Sequence, residues 1–224
     1  MIDPLKLLRA LEDFLFEAIA LLFFYPVTLY RIARRPLESM QYAESEEIAD
    51  RETRYDDAVS PPLLLLLTIL LTTFVAQSVH AGQPVGDAPL ASFIFDSPQN
   101  LLLFRCLLFS LLPLVAAVTL LRKQHQPISR DSLRPVFYAQ CYLAVPLALA
   151  VTLGSTGMAQ PDPRVTFAGG LGFALGFVWM IWAQTRWFSQ KLAWGWLRSL
   201  GAALGVVLSA ALFLILFSLG VMAL

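Results

Sequence analysis

The chain has 224 residues, 58% of them hydrophobic, with a mean hydropathy of +0.67. Soluble domains hold roughly 45–50% apolar residues, so the composition excludes an ordinary soluble globular protein. Sixteen basic residues balance sixteen acidic ones, and a nucleic-acid partner therefore has no electrostatic support.

Residues 1–35 open the chain. Asp3, Lys6, Arg9, Asp13 and Glu17 recur every three or four positions, which places them on one helical face. Leu7, Leu8, Leu11, Phe14, Leu15 and Ala18 fill the opposite face. This pattern predicts a helix lying in the membrane interface, with Leu11 and Phe14 among its lipid contacts. No small-residue cleavage site follows before Arg31, so a cleavable signal peptide is not expected. From Ala18 to Tyr25 the sequence is apolar all round, and Pro26 is expected to interrupt the helix. The expectation is a helix that lies flat and dips inward, anchored at the surface by Arg31, Arg34 and Arg35. The alternative is a short, tilted sixth span that begins outside.

Residues 36–60 are polar and carry both charge signs, including Glu44, Glu46, Glu47 and Asp57. They read as a solvated, part-helical cytoplasmic arm, in which a hydrated linker is favoured over a binding role.

Residues 61–224 hold five apolar runs, at about 61–79, 99–121, 135–153, 165–185 and 199–224. About 20 apolar residues match the roughly 30 Å hydrocarbon core, and backbone polar groups inside a bilayer must pair internally. The predicted fold is all-α: a polytopic bundle of five transmembrane helices preceded by an amphipathic interfacial helix. Three runs open with Ser60-Pro61, Ser97-Pro98 and Asp162-Pro163, which are helix-start pairs. Pro113 and Pro146 fall mid-span and should kink their helices.

The basic residues sort between alternate connections. Fourteen lie before the first run, between the second and third, or between the fourth and fifth; the other two connections hold only Arg164. This is the positive-inside pattern, with the N-terminus in the cytoplasm and the C-terminus outside.

Chemistry-bearing groups are sparse. The spans hold no Asp, Glu, Lys or His well inside the hydrocarbon. Their one charge, Arg105, reads as an interfacial anchor reaching outward toward Asp96. His80 and His125 fall in connections on opposite sides of the membrane, so no metal set is expected. Cys106 and Cys141 lie at different depths and read as buried free thiols. The sequence contains no metalloprotease, P-loop, hydrolase-elbow or dinucleotide motif. Neither an enzyme nor a cofactor is expected. The strongest constellations are small-residue stripes: Ala168, Gly172 and Gly176 on the fourth span, Gly201, Gly205 and Ser209 on the fifth. They predict close approach of these two spans, or alternatively a homodimer contact.

The stretch Pro127-Ile128-Ser129-Arg130-Asp131-Ser132-Leu133-Arg134-Pro135-Val136-Phe137-Tyr138-Ala139-Gln140-Cys141-Tyr142-Leu143-Ala144-Val145-Pro146 resembles the bacterial branch of the Yip family. There a short polar loop leads likewise into a Phe/Tyr-containing third span with a mid-membrane proline. The five-span order behind a cytoplasmic arm, over about residues 55–224, is similar too. The resemblance implies a non-enzymatic inner-membrane protein, an organiser or adaptor, whose partners are the lipid bilayer and other membrane proteins. The eukaryotic members' Asp-Leu-Tyr-Gly-Pro motif is absent; that region reads Tyr55-Asp56-Asp57-Ala58-Val59-Ser60-Pro61. A permease or channel subunit, and an accessory subunit of a larger complex, are the alternatives.

Overall fold

The structure is a computed structural model that describes residues 4–48, 55, 57–79 and 97–222. Within these, side chains are described for Glu12 and from residue 19 to residue 216, apart from Pro98. The described residues form seven helices and no strand: α1 (Pro4–Arg34), α2 (Pro36–Ile48), α3 (Pro61–Ser78), α4 (Pro98–Lys123), α5 (Arg130–Met158), α6 (Pro163–Leu192) and α7 (Trp196–Met222). Helices α3 to α7 are each long and apolar enough to cross a membrane. The chain is an all-helical integral membrane protein.

Local chemistry sets the helix starts. Ser97 accepts a 3.1 Å hydrogen bond from the Asn100 amide, and Asp162 accepts one of 2.8 Å from the Arg164 amide. Both satisfy amides that have no intrahelical partner. Ser60 makes no such bond, although proline still follows it. Ser129 and Ser132 form a reciprocal capping box that starts α5 well before its apolar stretch. At the other end of the bundle's basic side, Ala193 in a left-handed conformation ends α6. The basic connections are therefore shorter than hydropathy predicts, because α5 and α6 continue past the apolar zone.

Helix α5 is the hub. It packs against α6, α3, α2, α4 and α1. Residues 139–145 are buried without a break, as a helix surrounded on every side must be. On the buried face of α3, Thr68 and Thr72 donate to the Leu64 and Thr68 carbonyls at 2.8 and 2.7 Å, so neither hydroxyl is left unpaired.

The small-residue contact differs from expectation. The close approach is between α5 and α6. A Cβ on Gly169 would lie 2.7 Å from the Gly154 carbonyl oxygen and from the Met158 amide nitrogen. A Cβ on Gly176 would overlap Ala150. By contrast, a Cβ on Gly172, Gly201 or Gly205 would meet nothing within 4 Å, and Ala168 and Ser209 are exposed. Helix α7 buries Ser199, Ala203, Val206 and Ala210 instead. Gly201 lies about 200° around the helix from Ser199 and Ala203. Close approach needs small residues on both partners at one depth, and Gly154 and Gly157 supply them on α5.

Helix α1 runs unbroken through Pro26, whose ring is exposed. Its inner face packs Leu21, Phe24, Tyr25, Leu29 and Ile32 on the bundle. Its outer face exposes Ile19, Leu22, Phe23, Val27 and Tyr30. Tyr25 hydrogen-bonds Thr68 across 3.1 Å. Thr68 lies about 10 Å along α3 from its start, so this part of α1 is sunk against the bundle rather than flat on a surface.

Candidate functional site at the basic end of the bundle

The polar chemistry of the described residues gathers where α2 lies against the ends of α5 and α6. Helix α2 buries Pro36, Ser39, Met40, Ala43 and Glu47. The hydrated linker expected from the sequence is thus a docked helix. Its apolar content is low, and ion pairs help to hold it.

Glu47 has a side chain only 1% exposed, and its carboxylate lies 2.7 Å from Arg134 Nε on α5. The Tyr55 hydroxyl donates to the same carboxylate at 3.2 Å, and the Tyr55 amide donates to Glu46 at 2.8 Å. Tyr55 takes φ 59°, a left-handed conformation uncommon for a bulky residue, and this turns its ring under α2. One turn before Glu47, Glu44 is paired with Lys191 at the end of α6. The Arg134 guanidinium stacks on the Tyr138 ring at 5.2 Å, and the Lys191 ammonium on Trp187 at 4.7 Å.

A second node is Asp57. It accepts 2.5 Å from the Tyr42 hydroxyl and 3.3 Å from each terminal nitrogen of Arg31. The neighbouring Val59 amide donates to Thr28 of α1 at 3.3 Å. The Val59 carbonyl accepts from Tyr142 of α5 at 2.7 Å. Tyr55 and residues 57–59 thereby join α1, α2 and α5.

The surroundings shift the titrating groups. The hydrogen bond from the Tyr42 hydroxyl holds the Asp57 carboxyl below its ordinary value; burial opposes it, and Arg31 adds to the lowering. Burial pushes the Glu44 carboxyl up, and Lys191 offsets only part of this. Burial, reinforced by neighbouring carboxylates, raises Tyr42 and Tyr55 well above the usual phenol range. These groups serve as hydrogen-bond donors and counter-charges, with both tyrosines held protonated.

The residues singled out by sequence are dispersed. Arg31 belongs to the cap, through Asp57 and the Tyr42 ring. Arg34 donates to Tyr30, and Arg35 pairs with Glu38. The side chains of Leu11 and Phe14, and Asp96, lie outside the described residues. Arg105 turns to α3 and donates 2.9 Å to Thr73. Pro113 is buried and Pro146 half-buried, both inside continuous helices. Cys141 is buried, and Cys106 is only partly so. No cluster of three His, Cys, Asp or Glu with metal-binding geometry occurs among the described residues.

Sequence reading missed Glu44, Glu47, Tyr55, Arg134 and Lys191 as a unit. The available signal was the 3–4 spacing of Met40, Ala43 and Glu47 with Tyr42 between them, a weak stripe inside a charge-rich segment.

Compared with known proteins, the chain matches no family model, no curated protein and no solved structure.

Proposed function

We propose that the protein is a non-enzymatic membrane organiser or adaptor of the Yip type, sited in a bacterial inner membrane with its basic end in the cytoplasm. The one-sided placement of Lys and Arg supports the orientation. The observation that carries the function is the docked cap. The Glu47–Arg134 pair to α5 anchors α2 as a fixed platform, with Glu44 set against Lys191 of α6, and its outer side leaves Glu38, Gln41, Ser45 and Ile48 exposed. A pre-ordered helix binds a partner without the ordering cost that a free linker would incur. Photo-crosslinkers at Gln41 and Ile48 should capture one and the same cytoplasmic or membrane protein. Arg134→Ala, which releases the platform, should abolish capture. Failure of either site to crosslink a protein would end the adaptor reading.

One observation favours a permease as the second reading. Gln140 and Gln184 are 2% and 1% exposed and hold polar atoms with no hydrogen-bond partner, as do Trp187 and Ser199. From the Ala150–Gly176 contact, Gln140 lies ten residues and Gln184 eight residues toward the basic end. The two therefore occupy one stretch of the α5–α6 seam. Unpaired buried polar groups cost about 1–3 kcal/mol each and mark where a polar path would run. Rapid modification of Gln140→Cys by a small thiol reagent, in a background lacking Cys106 and Cys141, would favour the permease. Protection supports a closed bundle.

A further inference from the structure

A groove of about 1080 Å³ lies between α4 and α5, open to the surroundings. One wall is the α4 stripe Leu107, Leu111 and Leu114, with Cys106 and Ser110 beside it. The other is Leu133 and Phe137 of α5. Leu107 is 49% exposed and Leu114 40%, so neither α4 leucine is covered by the bundle. The charges sit at one end only: Arg130, Asp131 and Arg134, on the first turns of α5. From Arg130 to Phe137 the groove rises about 10 Å along α5, passing from charged to apolar.

The geometry points to a phospholipid-binding groove, and to a headgroup that carries both a phosphate and an ammonium. A polar end continuous with an apolar channel fits an amphiphile that enters sideways from the bilayer. The acyl chain would lie on Leu107, Leu111, Leu114 and Phe137. Arg134 is committed through its Nε to Glu47. Arg130 and Asp131 are both exposed, and neither makes an ion pair among the described residues. They offer one positive and one negative contact side by side. A phosphate takes the guanidinium and a primary ammonium takes the carboxylate. An anionic glycerol headgroup satisfies the first and is opposed by the second. The groove shares Arg134 with the α2 platform, but its test varies Arg130, Asp131 and Ser110, none of which holds α2, and does not depend on the adaptor reading.

The full chain, purified in mild detergent, would be offered equal amounts of phosphatidylethanolamine, phosphatidylglycerol and phosphatidylcholine with identical chains. Bound lipid is counted by native mass spectrometry. Phosphatidylethanolamine should be retained about tenfold over either competitor, as expected for one well-placed charged contact. Asp131→Asn should erase that preference while total retention of phosphatidylglycerol holds or rises. Arg130→Gln should lower retention of all three. Ser110→Trp, at an exposed position that can take the bulk without disturbing the core, should block the groove and remove the retained lipid from a protein that stays monodisperse. Equal retention of the three lipids by the wild type would overturn the headgroup assignment. Lipid retention unchanged in Ser110→Trp would mean a non-specific lipid shell and overturn the groove itself. So would a co-purifying protein, in place of lipid, that Ser110→Trp displaces, since a partner helix would then fill it.

Discussion

Tyr142, in the middle of α5, donates its hydroxyl to the backbone carbonyl of Val59 at 2.7 Å, joining residues 83 apart in sequence. The bond fastens the start of α3 to the hub helix. It also ties Val59 down beside Asp57, which belongs to the cap. A buried hydroxyl and a carbonyl that would otherwise lack this partner make this a specific tertiary lock.

Tyr142→Phe keeps the ring and removes only the donor. The expected cost is about 1–2 kcal/mol, read as a lower thermal midpoint in detergent. Crosslinking at Gln41 should weaken with it. An unchanged midpoint would show that the bond contributes no net stability.

Arg134→Ala removes a charged partner from the buried Glu47 carboxylate, a loss of about 1–3 kcal/mol. The loss falls on α2 docking rather than on the five-helix bundle. Trypsin cleavage after Arg34, at the α1–α2 junction, should then accelerate about tenfold while the bundle's own melting barely moves. Equal destabilisation of cap and bundle would show that they form one cooperative unit.

The cap should be most stable at mildly acid pH. Glu44 has its folded value raised above the ordinary 4.5, so its protonated form favours docking. Its contribution is complete below 4.5 and is lost as pH rises through the raised value. Asp57 is shifted the other way, below 3.8. Its contribution is complete above 3.8 and is lost as pH falls through the lowered value. Protection factors of the α2 amides, with the intrinsic pH dependence of exchange divided out, should accordingly rise on acidification from neutral pH and fall again once Asp57 protonates. Glu44→Gln should flatten the first limb, and Asp57→Asn the second.

Gly169→Ala and Gly201→Ala should differ in sign. At Gly169 the new Cβ meets backbone atoms of α5 at 2.7 Å, and the two helices must separate at a cost of about 1–3 kcal/mol. At Gly201 it meets nothing, and alanine should help the helix by about 0.5–1 kcal/mol. Thermal melting of both variants reads this directly. Destabilisation at Gly201 would mean that α7 uses that face in a contact with another chain.

Single cysteines at Pro161 and Gly195, in a background lacking Cys106 and Cys141, test the orientation. An impermeant thiol reagent applied to intact cells should label position 161 and spare 195. A cysteine at Ile2 should also be spared if α1 begins inside. The reverse pattern at 161 and 195 would invert the topology, and labelling at Ile2 would make α1 a sixth span.

What the sequence determined was whatever depends on the solvent. A bilayer rewards apolar length and forces backbone pairing within each helix, so five runs such as Pro61–Ser78 and Gln99–Lys123 were legible without any knowledge of neighbours. Local caps at Ser97 and Asp162 were legible for the same reason, since a cap is made within three residues. Only the tertiary structure decided which faces meet. Gly172 and Gly201 carry the same small-residue signal as Gly169 and Gly176, yet only the latter pair face another backbone, because contact depends on two helices at one depth. The charged arm became a docked helix for a similar reason. Nothing near Glu47 in sequence shows that Arg134, 87 residues on, would stand 2.7 Å away. That distant guanidinium and Tyr55 converge on Glu47 and offset the cost of its burial.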